Sequence, residues 1–414
     1  MTVLERPSVR REPPPRGGAL ERLAISVLEQ TLPGLEHGTL VVELPDGATR
    51  RFGTGPEVRM HVRSRNLFRR LATRGKLGLG ESYTAGEWEA DDLVALFTLL
   101  LRNAHEATRR YPRLTTLMNA RPRLNRRNGL FRARRNIRYH YDLGNDLFRL
   151  FLDETMTYSC AVFEDEAETL EEAQLRKLRL VCEKLRLGPG DHMLEIGCGW
   201  GSLALVAAGE YGAQVTGLTI SAGQAKLAQA RVAAAGLADR VQIVEEDYRA
   251  HEGRYTKLAS IEMIEAIGER EFPTFFAAAD RLLAPGGLAC IQTILVPEDR
   301  YDRYRRAPDW IERYVFPGCL IPSLAALSSA MARSSRLMIH DVEEIGAGYG
   351  ETLGRWRVAF HERLAQVRAL GYDDRFVRTW DFYLAFCEAA FRTRALRDAQ
   401  LVLTRPFNET LGRS

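Results

Sequence analysis

Two periods of apolar residues run along this chain. Over Gly38–Leu44 a short apolar run stops at Pro45-Asp46-Gly47-Ala48 and returns over Thr49–Phe52, which predicts a strand, a turn and a hairpin return. Helical patterns follow at Arg63–Arg74 and Asp91–Asn103, the second with its apolar residues at helical spacing. From Gln174 the two periods alternate. Helices are predicted at Gln174–Leu187, Leu203–Glu210, Ala222–Ala235 and Phe272–Leu283; strands at Asp191–Ile196, Gln214–Thr219, Val241–Glu245, Leu258–Ile261 and Gly287–Ile294. Such alternation argues for a parallel sheet with helices on both faces. Helical stretches at Leu353–Leu370 and Asp374–Arg394 would cap one edge.

A length of 414 residues exceeds what one core usually serves. Residues 19–104 read as a small α+β unit and 139–414 as the larger α/β domain. Residues 1–18, rich in Pro and Arg, read as a disordered tail without a signal peptide. The net charge of +4 is mild, so only its distribution informs. Residues 105–138 form a basic linker: between Thr108 and Tyr141 there is no acid, but there are eleven arginines with Leu114, Leu117, Met118, Leu130 and Phe131 among them. One reading is an arm that docks on an anionic phosphate surface; the plainer one is a solvated linker. No nucleic-acid-binding motif accompanies it. No run of about 18 apolar residues occurs, so a membrane role would be peripheral. The six cysteines lack C-x-x-C spacing, suggest neither a metal site nor a disulfide framework, and fit free thiols in a reducing cytoplasm.

The candidate chemistry starts at Leu194-Glu195-Ile196-Gly197-Cys198-Gly199-Trp200-Gly201, which closes a predicted strand and opens a helix. Glycines there let a ligand approach the backbone, beside the unpaired N–H groups of a helix start. The spacing is G-x-G-x-G with an acid in the strand, not the dinucleotide G-x-G-x-x-G. That favours S-adenosylmethionine over NAD, because no pyrophosphate needs a cradle. The next strand ends in hydroxyl residues, so Thr219, Ser221 and Gln224 would supply polar contacts. Ser221 is equally a helix N-cap candidate.

From about Tyr139 to Phe407 the chain resembles the cyclopropane-fatty-acyl-phospholipid synthase family, which includes the mycolic acid methyltransferases. The resemblance rests on His140-Tyr141-Asp142-Leu143-Gly144-Asn145-Asp146, Thr157-Tyr158-Ser159-Cys160-Ala161, Leu194 to Gly201, and Val215 to Ser221. Further matches are Asp247-Tyr248-Arg249, Met263-Ile264-Glu265, Phe316-Pro317-Gly318 with Pro322-Ser323, and Gly346-Ala347-Gly348-Tyr349. It implies a Rossmann-like class I methyltransferase domain with a mixed, mostly parallel seven-stranded sheet, a helical cap, and an N-terminal domain that engages lipid. It implies cofactor contacts at Tyr158, Ser159, Glu195, Gly197, Cys198, Gly199, Trp200, Gly201, Thr219, Ile220, Gln224, Asp247 and Tyr248. In the family a bound bicarbonate is the base, held near a cysteine, a glutamate, a histidine and a tyrosine. The matching positions are Cys160, Glu265, Gln292 and Tyr349. Glu265 stands out because a carboxylate inside an apolar run is costly without a task. Cys387 aligns with a cysteine once proposed as nucleophile, but its apolar helical setting suits a buried structural residue.

The implied reaction alkylates the double bond of an unsaturated phospholipid acyl chain to a cyclopropane, at the inner face of a membrane with an anionic surface. Two departures bear on that product. Gln292 stands where cyclopropane synthases carry histidine, and Ala266 follows Glu265 where they carry another. Glutamine bonds an anion but does not pass a proton on near pH 7. A methylene- or methyl-branched chain, which a separate reductase could finish, is the alternative. A lipid-binding protein that keeps the fold without turnover is the rival outside enzymology. The resemblance also allows a homodimer.

Overall fold

The computed structural model describes residues 35–110 and 144–411, except 166 and 308. The expected tail at 1–18, nearly all of the arginine-rich segment and the motif from His140 to Leu143 lie outside the described residues.

The expected hairpin forms. β1 (Gly38–Glu43) pairs antiparallel with β2 (Thr49–Thr54) and parallel with β3 (Glu57–Val62), which pairs with β4 (Trp88–Ala90). Helices α1 (Asn66–Arg74) and α2 (Lys76–Thr84) lie between β3 and β4, and α3 (Leu93–Arg110) follows them. Leu40, Val42, Met60, Val62, Leu96 and Phe97 are buried together, so the sheet gives its apolar face to α3.

The larger domain opens with the short α4 (Asn145–Arg149). α5 (Leu170–Lys184) then starts on a capping box, in which Thr169 and Glu172 satisfy each other's backbone N–H groups. β5 (His192–Ile196), α6 (Ser202–Gly209), β6 (Gln214–Thr219), α7 (Ala222–Ala234) and β7 (Val241–Glu245) follow as the alternation predicts. Next come β8 (Tyr255–Ile261), α8 (Phe272–Leu282), β9 (Leu283–Leu295) and the helices α9 (Glu298–Tyr304), α10 (Trp310–Tyr314) and α11 (Leu324–Ser334). The strand pair β10 (Met338–Glu344) and β11 (Arg397–Thr404) brackets α12 (Ala347–Glu362), α13 (Leu364–Ala369) and α14 (Asp374–Arg392). The sheet order is β10-β11-β9-β8-β5-β6-β7. β5 to β9 are parallel, and β11 runs antiparallel between β9 and β10. This is the mixed seven-stranded sheet of the class I fold. Chain order reverses between β5 and β8, and an open α/β sheet binds ligands at the carboxyl ends of strands at such a point.

Helix α14 has two employed faces. Phe382 packs on Phe97 and Trp310, with ring centroids 4.9 and 4.4 Å away, and Asp381 takes a 2.6 Å hydrogen bond from the Tyr83 hydroxyl. Tyr383, Cys387 and Phe391, four residues apart, face the cavity of the larger domain. The small sheet and the cap therefore share one core.

Candidate active site

The turn after β5 carries three glycines with positive φ: Gly197 (85°), Gly199 (52°) and Gly201 (83°). A Cβ on Gly197 would sit 2.8 Å from Met263, whereas one on Gly199 would meet no protein atom within 4 Å. The first glycine permits close packing; the second leaves the backbone bare to a cavity of about 300 Å³. Glu195 lines that cavity from the end of β5, and its Oε2 receives no hydrogen bond. Burial pushes its carboxyl up to about 7, against the pull of Lys177. The Tyr248 hydroxyl is a second buried polar atom without a protein partner, on a residue that also lines the cavity. Unspent polar atoms around a bare glycine turn fit a ligand that carries hydroxyl and ammonium groups, as S-adenosylmethionine does.

Of the expected cofactor contacts, Tyr158, Ser159, Glu195, Gly197, Cys198, Gly199, Trp200, Thr219, Ile220, Gln224, Asp247 and Tyr248 line the cavity. Gly201 stands just behind it as the N-cap of α6. Thr219 donates to Gln224 Oε1 (2.9 Å), and Ser221 serves as N-cap of α7 through Gln224 N. Asp247 is held by a two-point contact with Arg249 at 2.7 and 2.8 Å. Much of the remaining lining is apolar and aromatic: Ile311, Phe316, Leu353, Tyr383 and Phe391.

A cluster of buried carboxyls also borders this cavity, with Glu262 and Glu265 in its lining. Glu265 Oε1 accepts from Thr293 Oγ1 (2.8 Å) and Ile294 N (2.6 Å), while Oε2 receives nothing. Burial first, then the nearby Glu262, pushes its carboxyl up to about 8. Glu262 was not expected from the sequence, yet it is the hub. Its Oε1 accepts from the Cys160 backbone N–H (2.8 Å) and from Gln292 Nε2 (2.8 Å); its Oε2 accepts from the Tyr349 hydroxyl (2.5 Å). Its backbone takes a left-handed φ of 47°, which a non-glycine residue adopts only when its surroundings hold it. Gln292 Nε2 also donates to Asp398 (3.0 Å), whose carboxyl is pushed far up by burial and by hydrogen bonding to Glu262. Lys177, fully buried, donates to Ser159 Oγ (2.6 Å) and offsets this negative charge.

The orientation of Gln292 follows from its neighbours. The Lys184 ammonium, a donor only, bonds Gln400 Oε1 at 2.6 Å. Gln400 must then turn Nε2 toward Gln292 Oε1 (3.2 Å), which leaves the Gln292 Nε2 hydrogens for Glu262 and Asp398.

The expected catalytic set is thus rearranged. Glu265, Tyr349 and Cys387 line the cavity, but Cys160 and Gln292 lie behind Glu262. The Cys160 thiol donates toward the carbonyls of Ala161 and Ile345, and burial pushes it far up, so its backbone alone serves the cluster. Tyr349 belongs to the first turn of α12; Gly348 lets that turn lie close, since a Cβ there would strike Ala161 O at 2.3 Å. Cys387 is half-buried on the cavity wall, with its thiol also pushed up by burial.

A glycine turn at the switch point, unspent polar atoms on its rim and an adjoining apolar pocket define an S-adenosylmethionine-dependent methyltransferase. The profile of the mycolic acid cyclopropane synthetase family matches residues 129–401, and the chain belongs to that family. It is 42% identical over 351 residues to tuberculostearic acid methyltransferase UfaA1 of Mycobacterium tuberculosis, covering 82% of this chain and 81% of that one. It is 38% identical over 346 residues to the cyclopropane-fatty-acyl-phospholipid synthase of Escherichia coli K12, covering 84% and 87%. The solved mycolic acid cyclopropane synthase CmaA1, complexed with SAH and CTAB, superposes with a TM-score of 0.61 at 32% identity, over 65% of this chain and 97% of that one.

Proposed function

We propose that this enzyme alkylates the double bond of an unsaturated phospholipid acyl chain, with ring closure to a cyclopropane as the family's outcome. One observation carries the reading: the glycine turn, a set of aromatic side chains and the carboxyls Glu262 and Glu265 all line one cavity. When bound, S-adenosylmethionine supplies an electrophilic methyl on a sulfonium. The glycine turn and Glu195 hold that group's polar end. Tyr158, Phe316 and Tyr383 line the cavity, where aromatic side chains exclude water and offer π electrons to a cation. The π pair of the alkene forms the new bond to the methyl carbon, and the carbon–sulfur pair leaves with sulfur. The positive charge then rests on the neighbouring acyl carbon, where aromatic faces and fixed carboxylates stabilise it. Loss of one methyl proton, its C–H pair closing the ring, gives cyclopropane.

A second reading is favoured by Gln292 and by the tuberculostearic acid methyltransferase relative. If hydrogen first moves with its electron pair from the methyl-bearing carbon to the cation, loss of a methyl proton leaves a methylene branch. Glu265, Tyr349 and Cys387 are the cavity residues proposed to border the reacting carbons. The lipid surface is proposed to meet the protein from the cytoplasmic side; among the described residues no helix is long and apolar enough to cross a membrane.

The test is product analysis. Unsaturated phospholipid vesicles with enzyme and S-adenosylmethionine should gain 14 mass units per turnover, the methyl added less the proton lost. Proton NMR separates ring protons upfield from vinylidene protons downfield. Absence of any mass gain over a panel of mono-unsaturated lipids sinks both readings.

A further inference from the structure

The carboxyl cluster tests whether a bicarbonate fits here. A bound anion needs donors aimed at it. In this protein the positions that the resemblance assigns to bicarbonate have spent theirs: Cys160 N–H, Gln292 Nε2 and Tyr349 O–H all point at the Glu262 carboxylate. Glu265, whose carboxyl is pushed up to about 8 and whose Oε1 takes the Thr293 and Ile294 donors, keeps a proton near neutral pH. It offers one O–H from Oε2, a single donor where an anion needs several. A bicarbonate in the remaining space would lie against Glu262 with none of these hydrogen bonds, a desolvated anion beside a like charge. The residues present do not fit the group.

We propose that Glu262 takes the place of that anion: its carboxylate, clamped by Cys160, Gln292 and Tyr349, is the base that accepts the proton from the alkylated acyl chain, and the reaction runs without bicarbonate. This rests on the function proposed above. Glu262 lines the cavity, so its free edge reaches the space where the substrate lies. Three donors converge on its two oxygens, the pattern an ionised carboxylate makes. The left-handed backbone at Glu262 comes directly after β8, and there its Oε1 receives the Cys160 N–H. The step balances. A methyl C–H bond breaks, its electron pair goes to carbon, and the proton adds to a Glu262 oxygen. Asp398, which takes the other Gln292 Nε2 hydrogen, is the neighbouring carboxyl, pushed far up by burial and by Glu262 beside it.

Two independent readouts test this. In a turnover assay with vesicles, wild-type enzyme in argon-sparged, carbonate-free buffer should keep its rate within two-fold of that with 10 mM bicarbonate, about a working anion concentration. Glu262→Gly suits the left-handed backbone and should lose at least 100-fold without bicarbonate, then recover ten-fold or more when bicarbonate or formate is supplied. Glu262→Gln, isosteric, should stay inactive under both conditions while binding S-adenosylmethionine as wild type does. Binding of ¹³C-bicarbonate, followed by NMR, needs no turnover: wild type should show no saturable binding, and Glu262→Gly should show it. A ten-fold loss of wild-type rate on carbonate removal, saturable ¹³C-bicarbonate binding to wild type, or full activity of Glu262→Gly without bicarbonate would each overturn the assignment. Failure of the alkylation reading would appear separately, as absent mass gain while the ¹³C arm still decides the fit.

Discussion

At the scale of single residues, the unusual burden is negative charge in a dry place. Glu265 and Glu195 are held at about 8 and about 7 by burial. Both folded values lie above the ordinary glutamate value, so the folded chain keeps protons that the unfolded chain has already released. Their stabilising effect is complete below pH 4.5 and is lost as pH rises to about 8. Glu262 and Asp398 face Glu265 and deepen the effect. Glu265→Gln carries its hydrogens at every pH. Its melting temperature should therefore fall less than wild type's between pH 5 and pH 8.5, the difference being on the order of a few degrees by calorimetry. An identical fall in both proteins would show that Glu265 does not titrate there. Glu265 was legible in the sequence because its carboxyl interrupts an apolar run. Glu262 was not, since an acid just past a strand reads as a solvated end. Asp398 and Gln400 left a signal in the alternation Asp398-Ala399-Gln400-Leu401, polar on one face of β11 and apolar on the other. Lys177 left none: between Arg176 and Arg179 on an amphipathic helix it reads as surface.

At the scale of elements, the parallel half of the sheet was legible because each strand and helix keeps its own apolar period. The residues of β10 and β11 were not assigned to strands from the pattern. β10 is largely exposed and polar, and β11 is set apart from it by three helices, so their pairing is a long-range matter that local periodicity does not encode. This pair nevertheless brings Asp398 and Gln400 to the site. The line from Lys184 on α5 through Gln400 on β11 to Gln292 on β9 fixes which way two amides point. Lys184→Met should let both amides turn and lower kcat about ten-fold, since a misdirected buried hydrogen bond costs roughly 1–3 kcal/mol. Cofactor affinity should stay unchanged, and Lys184→Arg should restore part of the rate. A parallel loss of cofactor binding would mean the helix is displaced rather than the amides.

At the scale of the whole molecule, solved relatives such as CmaA1 match 65% of the chain, and the small N-terminal sheet accounts for much of the remainder. Here that sheet is bound in. Phe97 and Tyr83 cover Phe382; Glu89 pairs with Arg378 at 2.8 Å; Asp381 takes bonds from Tyr83, Arg357 and His361. A chain beginning at residue 144 would bare Phe382, Phe386 and Trp310 together, an apolar patch of the kind that drives association. It should elute in size-exclusion chromatography mainly as aggregate, with little monomer. A monodisperse fragment that binds S-adenosylmethionine at wild-type strength would show the larger domain to be self-sufficient. Helix α14 matters most in this respect, as a party wall between the small sheet and the substrate pocket. Chimeras that graft one relative's N-terminal unit onto another's catalytic domain would leave a mismatched wall. Exchanging α14 with the unit moves Tyr383, Cys387 and Phe391 as well, so lipid preference would travel with the graft.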